Sequence, residues 1–452
     1  MHTKDTLPAT NETVKELGSE PEANELIREN SNNIDRIHKS IDRLTHQNKT
    51  NEIISTNQYF DTLNSININT LHTKLPKDKK KILIVGFFGA KNLGDELMLQ
   101  ELISRLSPVP NIDLTVMLSD NYSPDIQTYQ PLRTIHYPKN MADLAELSKI
   151  YDAVVFPGGT IISDLHYSLD KVSLDTIVIE LGSLFIKNKK GCFIFGVSTE
   201  ESFSNKDYIK RLSFVVENSN YISLRDSYSL EVIKDLSIPI DNIEIVDDIV
   251  LSSSIFNLED KDYAMMSNKI STVVGIFVFA NQNTQRIIGF INKILSALPD
   301  DGIFTLVPFY DFNNNDINHI KTISSAIKDN RIKIIESPPA NIEEFAATIK
   351  GTDLVISMRY HGALIANMLG KRVLCINPKG NTHYVNKNKY IDSHYGLNGV
   401  IIDEIAMDRF DTNNLKDLMH SRKSKIETKA VYNSAKKEVD VLIDLIANLR
   451  TS

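Results

Sequence analysis

The chain has 452 residues, 42% hydrophobic and 24% charged, with a formal net charge of -8, a composition that suits a soluble protein of two or three domains. The acidic balance speaks against general nucleic-acid binding, which needs a concentrated basic surface. The N-terminus lacks the apolar core of a secretory signal, and no apolar run is long enough to span a bilayer, so a cytoplasmic protein is expected.

The first eighty residues are rich in Asn, Thr, Lys and Glu. Within them Ile27, Ile34, Ile37, Ile41 and Leu44 fall at heptad a and d spacing, with Asn30 at an intervening d. A short helix that docks on the body or pairs with a second copy is one reading of 1–80; a disordered leader is the other. Peripheral membrane association stays open as well.

From Lys81 the texture changes. Apolar runs at 82–88, 113–118, 153–159, 191–197, 221–226 and 243–248 read as strands, and after a linker around 252–270 the pattern restarts at 271–280, 302–309, 331–337, 353–358 and 372–377. Amphipathic stretches such as 96–106 and 283–298 separate them. Wholly apolar strands alternating with helices predict parallel sheets covered on both faces. The expected fold is α/β, with two Rossmann-like doubly wound domains at 81–255 and 256–412 and a closing helix at 413–452. Cys192 and Cys375 lie inside predicted strands, as small buried hydrophobes would.

Ligands of such sheets gather at the carboxyl ends of the strands, which singles out four segments. Gly86-Phe-Phe-Gly89-Ala-Lys-Asn92-Leu-Gly94-Asp95-Glu96 is a glycine-bearing strand-to-helix turn without the GxGxxG or GK[ST] spacing of nucleotide loops. Asp95 and Glu96 there suit either helix-dipole stabilisation or a ligand. Phe156-Pro157-Gly158-Gly159-Thr160 allows close backbone approach. In Ser223-Leu224-Arg225-Asp226, Arg225 offers a fork for a carboxylate or phosphate, or pairs with Asp226. Met358-Arg359-Tyr360-His361-Gly362 puts two polar side chains between an apolar strand and an apolar helix, where they need a partner or a ligand.

These four segments, in this order, resemble the polysaccharide pyruvyltransferase family over roughly residues 81–380, together with the acidic turn Val246-Asp247-Asp248 and the block DLVISMRYHGALIANMLGKRVLCI. The resemblance implies a fold like the GT-B glycosyltransferases and a transfer from phosphoenolpyruvate to a sugar of a bacterial surface polysaccharide or its precursor. By motif match it implies His361 as the acid–base residue and Arg359, Arg225 and Lys379 as donor contacts, beside the Gly158-Gly159 turn. Asn92, Asp95 and Glu96 are expected to hold the acceptor. No metal and no cofactor are expected beyond phosphoenolpyruvate as co-substrate, and lipid linkage of the acceptor stays open. The chain departs from the family's pattern at Gly196-Val197-Ser198-Thr199, at Asp247-Asp248-Ile249 and at Thr160, where a third glycine is common. Two competing readings are a GT-B glycosyltransferase using a nucleotide sugar and a non-catalytic sugar-binding or assembly partner.

Overall fold

In the computed structural model, which describes residues 78–119, 132–258, 270–279, 283–310, 315–411, 413–415, 418 and 427–449, strands and helices alternate along the chain. The heptad pattern at 27–44 lies outside the described residues.

The first half contributes β1 (Lys80–Val85), α1 (Leu93–Leu106), β2 (Ile112–Leu118), β3 (Arg133–His136), α2 (Met141–Ile150), β4 (Ala153–Pro157), β5 (Thr160–Ile162), α3 (Leu174–Lys187), β6 (Gly191–Thr199), α4 (Lys206–Asn218), β7 (Tyr221–Leu224), α5 (Ser227–Asp235) and β8 (Ile243–Ile245). Its parallel sheet has the order β3-β2-β1-β4-β6-β7-β8, with β5 paired to β6 off this path. The order steps outward from β1 in both directions, so a switch point falls between β1 and β4, where ligands of doubly wound sheets bind.

The second half repeats the plan with β9 (Thr272–Ile276), α6 (Thr284–Ala297), β10 (Ile303–Leu306), α7 (Asn315–Ile327), β11 (Ile332–Ile334), α8 (Ile342–Lys350), β12 (Leu354–Ser357), α9 (Tyr360–Met368), β13 (Arg372–Asn377), α10 (Thr382–Tyr390) and β14 (Gly399–Asp403). Its order is β11-β10-β9-β12-β13-β14, all parallel, with the switch between β9 and β12. The closing helix α11 (Thr428–Ala447) touches both halves. The Thr428 hydroxyl donates to the Met368 carbonyl at 3.0 Å, while Glu438 accepts from the Asp247 amide at 2.7 Å.

Both sheets owe their parallel form to apolar strands with no wet face. Ile82, Leu83, Ile84 and Val85 of β1 are all fully buried, as are Leu354, Val355 and Ile356 of β12. Each such side chain stabilises the fold by about 1.5–3 kcal/mol. Helices start where a side chain can accept the first free amides: Ser173 accepts from Thr176, Asn205 from Asp207 and Tyr208, and Asp226 from Ser229.

The structure adds β3, β5 and β14 to the strands read from the sequence, and it ends β4 at Pro157. Gly158 and Gly159, at the end of the apolar run 153–159, form a turn with φ of +63° and +75°, as their reading as a paired-glycine turn after the strand expects. A Cβ on Gly158 would lie 2.4 Å from Met98 Sδ of α1, a flexible thioether that could shift, so it is the backbone angle that calls for glycine at this turn.

Candidate functional site

One cavity of about 580 Å³ opens where the carboxyl ends of the two sheets meet. Asn92, Asp95, Arg225, Arg359, Tyr360, His361, His383 and Lys387 are among the residues that line it.

Arg225 follows β7 and is almost wholly buried. Its Nε donates to Ser198 Oγ at 2.8 Å and its Nη1 to Asp248 Oδ2 at 2.9 Å. Asp226 is not its ion-pair partner; it caps α5 and accepts from Ser198 Oγ at 2.6 Å. Asp248 has no solvent exposure and also accepts from the Val250 amide at 3.1 Å. Burial works against its charge, yet His361 and Arg225 together hold the carboxyl well below the usual carboxylate range.

His361 sits in the first turn of α9 with Nε2 3.4 Å from both Asp248 Oδ2 and Arg225 Nη1. The other face of its ring meets α1: a Cβ on Gly94 would lie 2.1 Å from Nδ1. Asp95 lies beside it, where burial raises its carboxyl and the charges of His361, Arg225 and Lys387 oppose the rise. Three parts of the chain that are far apart in sequence thus converge on one imidazole.

Arg359 lies across the cavity, its Nη2 3.5 Å from Asp316 Oδ1 and its guanidinium 5.6 Å from the Tyr310 ring centre. Its Nε is shielded from solvent without a hydrogen-bond partner, a donor that gains from a ligand acceptor. Asp316 in turn accepts from the amides of Phe309 at 3.0 Å and Tyr310 at 2.7 Å.

Lys387 of α10 is the cation that the sequence reading missed. Its Nζ donates to Thr160 Oγ1 at 2.8 Å and stands 5.6 Å from the Tyr360 ring centre. Burial, helped by the nearby Arg225 charge, lowers its ammonium to about 7. The same Thr160 hydroxyl is 3.0 Å from His383 Nε2. Burial and the charges of Lys387 and Arg225 keep the His383 imidazole neutral at physiological pH.

Of the residues singled out in the sequence, His361, Arg359, Arg225, Asn92 and Asp95 line the cavity. Gly159 stands behind them, since its Cβ would lie 3.1 Å from Asp95 Oδ1, and Gly158 packs on Met98. Glu96 turns away from the cavity, its Oε1 accepting from the Gly89 amide at 2.8 Å. Burial raises its carboxyl to about 8. Lys379 does not line the cavity; its amide donates to Glu404 Oε2 at 2.9 Å. Thr160, noted in the sequence as a departure from what the resemblance implies, was the signal that could have pointed to Lys387, because its hydroxyl receives that ammonium.

The family model for polysaccharide pyruvyl transferases matches residues 92–380. The chain belongs to the polysaccharide pyruvyl transferase family. The matched span contains Asp95, Arg225, Asp248, Arg359 and His361, whereas Lys387 lies just beyond it. No curated protein is similar enough to this transferase to match it. Among solved structures, a UDP-N-acetylglucosamine 2-epimerase from Rickettsia bellii is 9% identical with a TM-score of 0.51, covering 81% of this chain and 96% of its own. The UDP-GlcNAc 2-epimerase from Neisseria meningitidis, solved with UDP-GlcNAc bound, is 13% identical with a TM-score of 0.50, covering 80% of this chain and all of its own. These likenesses establish a shared GT-B-like fold of two Rossmann-like halves.

Proposed function

We propose that the transferase moves the enolpyruvyl carbon skeleton of phosphoenolpyruvate onto two hydroxyls of a sugar, forming a pyruvate ketal and releasing phosphate. The observation that carries this reading is the convergence of Arg225, Arg359, Lys387 and His361 in one cavity of a chain that belongs to this family.

Phosphoenolpyruvate carries a carboxylate and a phosphate on adjacent groups, so two guanidiniums and an ammonium match its charge. A neutral ligand would leave the buried Arg225 and the half-buried Arg359 and Lys387 lining one cavity with no anion of the ligand to meet them. A proton delivered to the methylene carbon turns it into a methyl group and leaves a cation-like centre at the neighbouring carbon. One sugar oxygen bonds there, the carbon–oxygen bond to phosphate breaks, and the second sugar oxygen closes the ketal. Of the two hydroxyl protons released, one balances the proton given to carbon and the other leaves on phosphate.

His361 is the group suited to these transfers, because Asp248 holds its ring and would stabilise the imidazolium. Asp95, on its other side, suits an acceptor hydroxyl. The acceptor belongs to a cell-surface polysaccharide or its precursor, and the reaction is assigned to the cytoplasm. No helix among the described residues is long and apolar enough to cross a membrane.

The test is phosphate release from phosphoenolpyruvate with a panel of glycoside acceptors, for the wild type and His361→Ala. Acceptor-dependent release that His361→Ala abolishes is expected, with thermal stabilisation by phosphoenolpyruvate kept in the variant. Stabilisation by nucleotide sugars and not by phosphoenolpyruvate would overturn the reading.

A further inference from the structure

Two of the segments where the chain departs from the family's pattern lie side by side in the fold. Thr160 opens β5, Ser198 lies near the end of β6, and the two are register partners in the parallel ladder. The Ser198 amide donates to the Gly159 carbonyl at 2.8 Å, so the backbone keeps the pair together.

Both hydroxyls are used in the same way. Ser198 Oγ accepts from Arg225 Nε at 2.8 Å and donates its own hydrogen to Asp226 Oδ2 at 2.6 Å. Thr160 Oγ1 accepts from Lys387 Nζ at 2.8 Å. An ammonium can only donate and a hydroxyl has one hydrogen, so the Thr160 hydrogen goes to His383 Nε2 at 3.0 Å. That assigns the neutral His383 the tautomer with its hydrogen on Nδ1, a buried atom with no hydrogen-bond partner.

The pair thus grips one cation from each half, since Arg225 follows β7 and Lys387 stands on α10. The two cations share a neighbour in Tyr360, whose ring centre lies 4.9 Å from the Arg225 guanidinium carbon and 5.6 Å from Lys387 Nζ. Like charges held this near repel. An oxygen turned toward each one offsets part of that repulsion and fixes where each charge stands. Glycine at 160 or alanine at 198 would remove the side-chain oxygen that each cation meets.

We propose that Thr160 and Ser198 are paired positioning residues, whose hydroxyls set the spacing between the Lys387 ammonium and the Arg225 guanidinium and so shape the cavity for a ligand with two anionic groups. Naming that ligand as phosphoenolpyruvate rests on the pyruvyl-transfer reading; the positioning of the cations does not.

The experiment titrates Lys387 by NMR in the full chain carrying carbon-13-labelled lysine, without ligand, and Lys387→Met assigns its signal. Around this ammonium stand Arg225 after β7, Asp226 at the cap of α5, Asp95 of α1, Glu200 after β6, Tyr360 of α9 and His383 of α10, all kept in the variants. Thr160→Val keeps the shape and drops the hydroxyl. It should lower the Lys387 midpoint by about one pH unit or more, because losing a bond to a charged group disfavours the charge. Thr160→Ser should restore it. Calorimetry at pH 7 then follows phosphoenolpyruvate, whose binding should weaken about tenfold in Thr160→Val and in Ser198→Ala. Because either loss spoils the common spacing, the double variant should lose little more than each single variant. Melting temperatures check folding, and if Ser198→Ala does not fold, the two Thr160 variants decide. An unchanged Lys387 midpoint in Thr160→Val, no restoration in Thr160→Ser, or losses that multiply to about a hundredfold in the double variant overturns the proposal. A wild type that shows the Lys387 shift on substitution yet does not bind phosphoenolpyruvate refutes the donor and leaves the positioning in place.

Discussion

The imidazole of His361 rests against Gly94, where a Cβ would lie 2.1 Å from Nδ1 and 2.8 Å from Cε1. That contact joins the first turn of α1 to the first turn of α9, and it works only because residue 94 has no side chain. Gly94→Ala should therefore push the ring off Asp248. Displacement by about 1 Å is enough to lower transfer about a hundredfold. Phosphate release checks this, with near-ultraviolet circular dichroism to confirm folding; activity near that of the wild type would mean that the ring's position is not critical.

Asp248→Asn tests the buried partner of Arg225 and His361. Removing one member of a buried ion pair costs about 3–5 kcal/mol. The sign with pH follows from the depressed carboxyl. Its stabilisation is fully present above the ordinary value of 3.8 and is lost as pH falls below it. The variant should melt several degrees lower at pH 7, with the gap narrowing below pH about 4. A constant gap across that range would remove Asp248 from the account.

For Lys387, lowered to about 7, the amine is charged below that pH and neutral above it. An anionic donor needs the ammonium, so binding should take up a proton and weaken as pH rises above about 7. Calorimetry in buffers of different ionisation enthalpy measures the uptake. In Lys387→Met the uptake should vanish and affinity for phosphoenolpyruvate should fall at least tenfold. Unchanged uptake in the variant would assign the proton to another group.

Glu96, raised to about 8, is protonated at neutral pH in the folded protein and ionised in the unfolded chain. The stability it confers is full below its ordinary value of 4.5 and is lost as pH rises toward 8. Glu96→Gln keeps an acceptor for the Gly89 amide and carries no charge. Its melting temperature should exceed the wild type's by about 3 °C or more at pH 8, and by little at pH 5. The same difference at both pH values would contradict the buried, titrating carboxyl.

Most strands were legible because an apolar run with no polar alternation has few places to go other than a covered parallel sheet. β3 escaped notice because Arg133-Thr-Ile-His136 has a single fully apolar residue and lies at an edge. β5 was hidden because Thr160-Ile-Ile162 begins directly after the paired glycines. Arg225, Arg359 and His361 stood out for one physical reason: each is a charged or titratable side chain set where apolar strand gives way to helix. Lys387 offered no such contrast. It lies in the polar helix Thr382–Tyr390 near Lys389, and only the docking of that helix on Thr160 separates the half-buried lysine from its exposed neighbour. Asp316, which pairs with Arg359, directly follows three asparagines and so offered no polar-in-apolar contrast of its own. Asp248 was visible as half of an acidic pair, but nothing in the pair says which carboxylate faces the histidine.

Between the halves runs a seam of backbone. The Leu93 amide donates to the Phe309 carbonyl at 2.9 Å, and Asn92 and Tyr310 form an antiparallel bridge. Main-chain atoms make this seam, so exchanging the side chains of these residues leaves its hydrogen bond in place, proline at position 93 excepted. The spacing between Asp95 on one side and Arg359 on the other can thus persist through sequence drift that rewrites the surrounding surfaces. Acceptor preference can diversify among descendants of this chain while the distance across which the chemistry acts is inherited unchanged.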